Sequence, residues 1–157
     1  MRLTALAIFL LLATAVQAEP PKRGRPLEDK VCLATHIFIG STLNYREISL
    51  CAKHVAEADR AACRHAEVDV KVEDVLWPPN WLPDDTVRYR YGGGNFNMKL
   101  VRASLETQRM LFLVVESMED KQQVFRTSYG WFMAATPFDR EQVVESIAAC
   151  RAQGRLR

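Results

Sequence analysis

Beyond residue 16 the sequence contains no apolar run approaching the roughly 20 residues a membrane-spanning helix needs, since Met110–Val115 is only six residues long. It has little net charge: 21 Lys and Arg stand against 19 Asp and Glu, a formal balance of +2. That balance leaves no electrostatic footprint for nucleic acid, and any membrane-surface patch would have to be local. There is no G-x-S-x-G, no H-E-x-x-H and no phosphate-loop signature, so no catalytic residue can be named. Internal repeats and low-complexity tracts are also missing.

What is present begins with the N-terminus. Arg2 precedes an apolar stretch from Leu3 to Val16, and Val16-Gln17-Ala18 offers small or short residues where a signal peptidase reads. Residues 1–18 are therefore expected to be a cleavable signal peptide, with secretion or the periplasm as destination. The remaining 139 of 157 residues, with 20 basic against 19 acidic side chains, suffice for one domain with a real core. Residues 19–31 (three prolines and mostly charges from Glu19 to Lys30) are expected to form a mobile leader. Residues 32–152 are expected to form the domain, and residues 153–157 a frayed basic tail.

All four cysteines, Cys32, Cys51, Cys63 and Cys150, lie in the exported part, and an even count in an oxidising compartment reads as two disulfides. A continuous helix from Cys51 to Cys63 would rise about 18 Å, whereas bridged Cα atoms lie within about 7 Å. The two flank the connection between two strands expected to be antiparallel neighbours. Pairing them there makes the segment turn back, and leaves Cys32 for Cys150.

The pattern between the ends is mainly strand-like. Leu33–Ile39 is apolar on both faces, Gly40 offers a bend or bulge, and Leu43–Leu50 continues the strand. Val68, Val70 and Val72 alternate with Asp69, Lys71 and Glu73 before the phase slips to Val75, which predicts a β-bulge near Glu73-Asp74. Val87, Tyr89 and Tyr91 alternate with Arg88 and Arg90. Met110–Val115 reads as a central strand and Val124–Met133 as another, kinked at Gly130. One helix is expected near the C-terminus: Thr136-Pro137-Phe138-Asp139 supplies an N-cap, a proline at the first turn and an acid at the third position. Val143, Ile147 and Cys150 then share one face.

This layout, mainly β with a C-terminal helix, resembles the netrin-type module, the OB-like small antiparallel β-barrel shared by tissue inhibitors of metalloproteinases. The residues similar to that family are Leu33-Ala34-Thr35-His36-Ile37-Phe38-Ile39-Gly40, the Glu67–Leu76 strand and Arg109–Val115. A C-terminal helix bridged to the start of the first strand is also like the family. The resemblance implies a scaffold over roughly residues 32–150. It does not imply a chelating metalloproteinase inhibitor: that mechanism uses an N-terminal cysteine on the catalytic zinc, whereas Cys32 lies well inside this chain.

Cys51, His54, Cys63 and His65 have zinc-compatible ligand types. Oxidation in the exported compartment and the tight C-x-H spacing decide for disulfides, so no metal or cofactor is assigned. His36, on the face of Ala34 and Phe38, reads as a packed residue, because a base needs a partner the sequence cannot place. Asp84-Asp85 and Glu119-Asp120 read as solvated turns. Trp77-Pro78-Pro79-Asn80-Trp81-Leu82-Pro83 is a rigid connection with two indoles, which burial statistics place over the end of the barrel. Tyr89 to Asn97 interleaves aromatics and arginine before three glycines and reads as a flexible loop between strands. By elimination the expected role is an exported binding module for a protein or glycan, with Trp77, Trp81, Tyr89 and Tyr91 as its contact residues. The alternatives are a hydrolase or metal-dependent enzyme of an unrecognised type, which a His36–carboxylate pair in a cleft would favour, and a structural envelope component.

Overall fold

The computed structural model describes residues 26–156 except 52–54, 57–59, 61–62, 93–97, 107–108 and 120–121, with backbone only for residues 98 and 127–131. Eight elements follow in order: α1 (Leu27–Leu33), β1 (His36–Ser49), β2 (Arg64–Trp77), β3 (Val87–Gly92), α2 (Met98–Glu106), β4 (Arg109–Glu119), β5 (Gln122–Ala134) and α3 (Pro137–Ala152). The protein is mainly β with a C-terminal helix. The signal-peptide stretch, residues 19–25 of the expected leader, His54 and the Gly93–Asn97 loop lie outside the described residues.

The strands pair in the order β1-β2-β3-β5-β4, and β4 returns to β1. All pairs are antiparallel except β3 with β5, which touch in parallel only at Tyr89–Phe125 and Arg90–Arg126. β1 is one long bent strand, as the phase after Gly40 requires. The expected bulge is present: Ile39 faces Asp74 and Gly40 faces Val72, so Glu73 is the extra residue. Gly40 permits the close crossing, because a Cβ there would lie 2.5 Å from the Lys71 carbonyl oxygen.

Alternation along the strands sorts side chains into two cores. Phe38, Val68, Val70, Tyr89, Phe112, Val114 and Phe125 point inward and fill the barrel. Ile37, Ile39, Leu111 and Leu113 point outward from β1 and β4, where α1 and α3 cover them with Val31, Val143 and Ile147. This second core explains why the start of β1 is apolar on both faces. α3 begins as expected: the Thr136 hydroxyl accepts from the Asp139 N–H at 3.1 Å, and the Asp139 carboxylate accepts from that hydroxyl. Its buried positions are Val143, Ile147 and Cys150.

Three expectations are corrected. Residues 27–33 are helical, so the first strand begins at His36 rather than Leu33, and the end of the expected leader is part of the fold. A seven-residue helix is marginal alone. It holds here through tertiary contacts: Val31 and Cys32 are buried, Lys30 is only 2% exposed, and Cys32 is bonded to Cys150. The expected frayed tail is also tied down. Arg155 pairs with Glu28 and Asp29 of α1, and Leu156 packs on the second core. Finally, α2 was not expected. Val101 and Leu105, spaced i, i+4, insert into the barrel core, and the Thr42 hydroxyl donates to the Leu105 carbonyl.

Both disulfides join the expected partners. Cys32–Cys150 spans 5.4 Å between Cα atoms and Cys51–Cys63 spans 5.0 Å.

Candidate functional site

The two mouths of the barrel are closed differently. α2 plugs the one where β3 ends and β4 begins. At the other lie the start of β1, the β2–β3 connection (residues 78–86), the end of β4 and the start of β5, and there Trp81 serves as the stopper. Its ring lies 4.6 Å from that of His36, 5.4 Å from that of Phe38 and 5.4 Å from that of Phe125, centroid to centroid. The prolines at 78, 79 and 83 restrict the backbone on both sides of this anchor, and the Trp77–Pro78 bond is cis. Leu82, the next residue, is 91% exposed. The connection therefore buries one large side chain and projects its neighbour into solvent.

The four residues expected as contacts are not brought together on the surface. Tyr89 is corrected outright: it is 0% exposed, because it belongs to the inward set of β3 and packs on Phe112 at 4.9 Å. Tyr91 follows the same inward phase and packs at 5.3 Å on Phe132, and its burial raises the hydroxyl pKa above the ordinary value. Trp77 faces the second core, with the Arg151 guanidinium 5.7 Å from its ring centroid. Trp81 is half-buried as described. Alternation in β3 carried the signal for the tyrosines, since the arginines between them had to point the other way.

His36 is a packed histidine with a carboxylate partner. Its Nε2 lies 3.8 Å from Glu116 Oε2, and its Nδ1 lies 3.0 Å from the Thr35 hydroxyl. That hydroxyl also accepts from the Glu116 backbone N–H at 2.8 Å and lies 3.4 Å from the Val114 carbonyl oxygen. Thr35 is thus occupied in joining β1 to β4. Burial lowers the His36 pKa, and the Glu116 charge opposes part of that shift. Gln123 holds the other Glu116 oxygen at 2.7 Å. The zinc-compatible set is resolved differently: Cys51 and Cys63 are bonded to each other, and His65 Nδ1 lies 2.9 Å from the Cys63 carbonyl oxygen.

The outer face of β2, β3 and β5 carries an ion-pair lattice absent from the sequence expectations. Glu67, 5% exposed, lies between Arg46 at 2.7 Å and Arg90 at 2.5 Å, with Arg88 at 3.7 Å. Arg46 also pairs with Asp69 at 3.1 Å, and Glu119 joins Arg90 to Arg126. Burial acts to raise the Glu67 carboxyl pKa, but the Arg90 and Arg46 hydrogen bonds outweigh it and hold it below the ordinary range. The legible signal was the facing of Glu67 and Asp69 with Arg90 and Arg88 once β2 and β3 are paired antiparallel. These pairs tie the strands together as a cross-strand clamp, with Arg88 Nε and Glu119 Oε1 buried without a hydrogen bond among the described residues.

Two clefts flank the connection. One of about 270 Å³ lies where β3 and β5 diverge, lined by Thr86, Val87, Arg88, Gln122, Asp69 and Asp84. The other, of about 510 Å³, lies between residues 83–86 and Lys71-Val72 of β2. Among the described residues no helix is long and apolar enough to cross a membrane. Compared with known proteins, the chain matches no family model, and no curated protein is significantly similar to it.

Proposed function

We propose that this chain is an exported binding module on an OB-like barrel, and that its contact surface is the β2–β3 connection at the mouth closed by Trp81. The strand order β1-β2-β3-β5-β4, with a helix between β3 and β4, supports the OB-like reading. Barrels of that type place their ligands on the strand 2–3 face and on the β1–β2 and β4–β5 loops, and the β2–β3 connection borders that face. Two disulfides are compatible with an oxidising destination.

The observation that carries the proposal is the pairing of anchored Trp81 with projecting Leu82. An exposed leucine on a restrained backbone loses little conformational freedom on binding, which is the condition for a good contact residue. The partner is a protein rather than a glycan. Sugar rings require an open aromatic face, and Trp77, Trp81, Tyr89 and Tyr91 are all at least partly covered. The netrin-type resemblance remains part of this proposal as a scaffold only.

The test is a photo-crosslinking amino acid introduced at position 82 in the producing host, with position 138 on α3 as control, since Phe138 is also exposed at 66%. The expected result is a discrete protein adduct at 82, competed away by unlabelled chain but not by the Leu82→Asp variant. Equal, diffuse labelling at both positions refutes the reading.

A further inference from the structure

Beyond Val70, β2 has a partner on one side only among the described residues. The β2–β3 ladder ends at Val70–Val87, while β2 continues to Trp77 against β1. The connection returning from Trp77 to Val87 runs beside this edge without pairing. Its one backbone–backbone bond among the described residues is internal, from the Trp81 N–H to the Pro78 carbonyl, and none reaches residues 71–76. The 510 Å³ cleft occupies the gap. Lys71 and Val72 both line it, and successive residues of a strand point to opposite faces, so the cleft lies along the edge itself. Across it, Asp84 and Asp85 are exposed and make no hydrogen bond or ion pair within the described protein.

We infer that this edge, from Lys71 to Leu76, receives an extended, basic segment of a partner polypeptide as an added strand. The inference rests on the binding-module reading and specifies how that module holds its partner. Backbone N–H and C=O groups at a free edge supply the affinity in strand addition, and flanking side chains supply the choice of sequence. Here the flanking charges are two free carboxylates against one lysine, so the segment that fits presents Lys or Arg toward residues 84–85. A second copy would bring its own exposed Asp84 and Asp85 toward these carboxylates, and that like charge disfavours it as occupant.

The test is an NMR titration of the secreted chain with acetylated, amidated Val-Lys-Val-Lys-Val at millimolar concentration. The expected result is saturable shift changes confined to residues 71–76 and 83–86. Binding should weaken about tenfold in the Asp84→Asn, Asp85→Asn double variant, given up to about fivefold per exposed ion pair. It should be lost with the backbone N-methylated peptide and with Val-Glu-Val-Glu-Val. No shift change, changes elsewhere, or equal binding of the N-methylated peptide overturns strand addition. The crosslink at position 82 separates the two readings. An adduct there with no peptide response leaves the module standing and removes the strand; failure of both removes the module as well.

Discussion

Removing the Cys32–Cys150 bond should cost this protein far more than removing Cys51–Cys63. The first closes a loop with a sequence separation of 118, the second one of 12. In the chain-entropy model these lengths correspond to about 5 and about 3 kcal/mol at 25 °C. The structure adds a second reason for the same order. Cys32 and Cys150 are buried where α1 and α3 meet over Ile37, Ile39, Leu111 and Leu113, so opening that bond also loosens a core. Cys51 and Cys63 are half-exposed beyond the end of the long β1–β2 pair. The comparison is between the Cys32→Ala, Cys150→Ala and Cys51→Ala, Cys63→Ala double variants, with alanine avoiding a buried hydroxyl. In urea, with a slope of about 2 kcal/mol/M, the midpoint should fall by about 2.5 M in the first pair and by about 1.5 M in the second. A loss of about 5 kcal/mol is the whole stability of many small domains, so the first variant is expected to be substantially unfolded before urea is added. Equal losses, or a larger one for Cys51–Cys63, would show that the second core does not depend on its staple and refute the reasoning.

Replacing Glu67 with Gln should destabilise the fold by about 3 kcal/mol, because Arg90 and Arg46 lose their buried partner, and chemical denaturation at pH 7 measures it. The lowered carboxyl pKa values of Glu67, Asp69 and Glu73 give stability that is complete above the unfolded values, near about 4, and lost as pH falls through the folded ones. Acid titration of far-UV circular dichroism should show that loss, with a smaller slope in Glu67→Gln. Because burial outweighs the Glu116 charge at His36, the unfolded chain takes up the proton first, so stability is complete above about pH 6.5 and declines as pH falls toward the folded value. Urea midpoints at pH 7.5 and 5.5 should converge in His36→Phe, and an unchanged difference would assign the effect elsewhere. Gly40→Ala should cost about 1–3 kcal/mol in thermal unfolding, since its Cβ would strike the Lys71 carbonyl across the bulge.

Much of this organisation could be read directly from local patterns. Inward valines on β2, the slip at Glu73, the Thr136–Asp139 cap and the buried face Val143–Ile147–Cys150 all follow from periodicity and capping, which depend on residues a few positions apart. The even cysteine count predicted two disulfides and the reach between Cys51 and Cys63 favoured one pairing, while the structure decided the connectivity. What local patterns could not contain was decided by which elements meet. The helix at Leu27–Leu33 lacks a side-chain cap and stands through Cys150 and Arg155, more than 115 positions away in sequence. Tyr89 and Trp81 are both aromatic residues with at least one polar neighbour in sequence, yet closure of the sheet puts the first wholly inside and makes the second a stopper. The buried Glu67 is tolerable only because pairing with β1 and β3 brings three arginines to it. The sequence by itself determined most of the strand pattern, the C-terminal helix and the expectation of two disulfides, because each has a short-range or combinatorial signature. Only the tertiary structure decided which side chains face solvent at the mouth, because exposure is set by packing between residues that the chain order keeps apart.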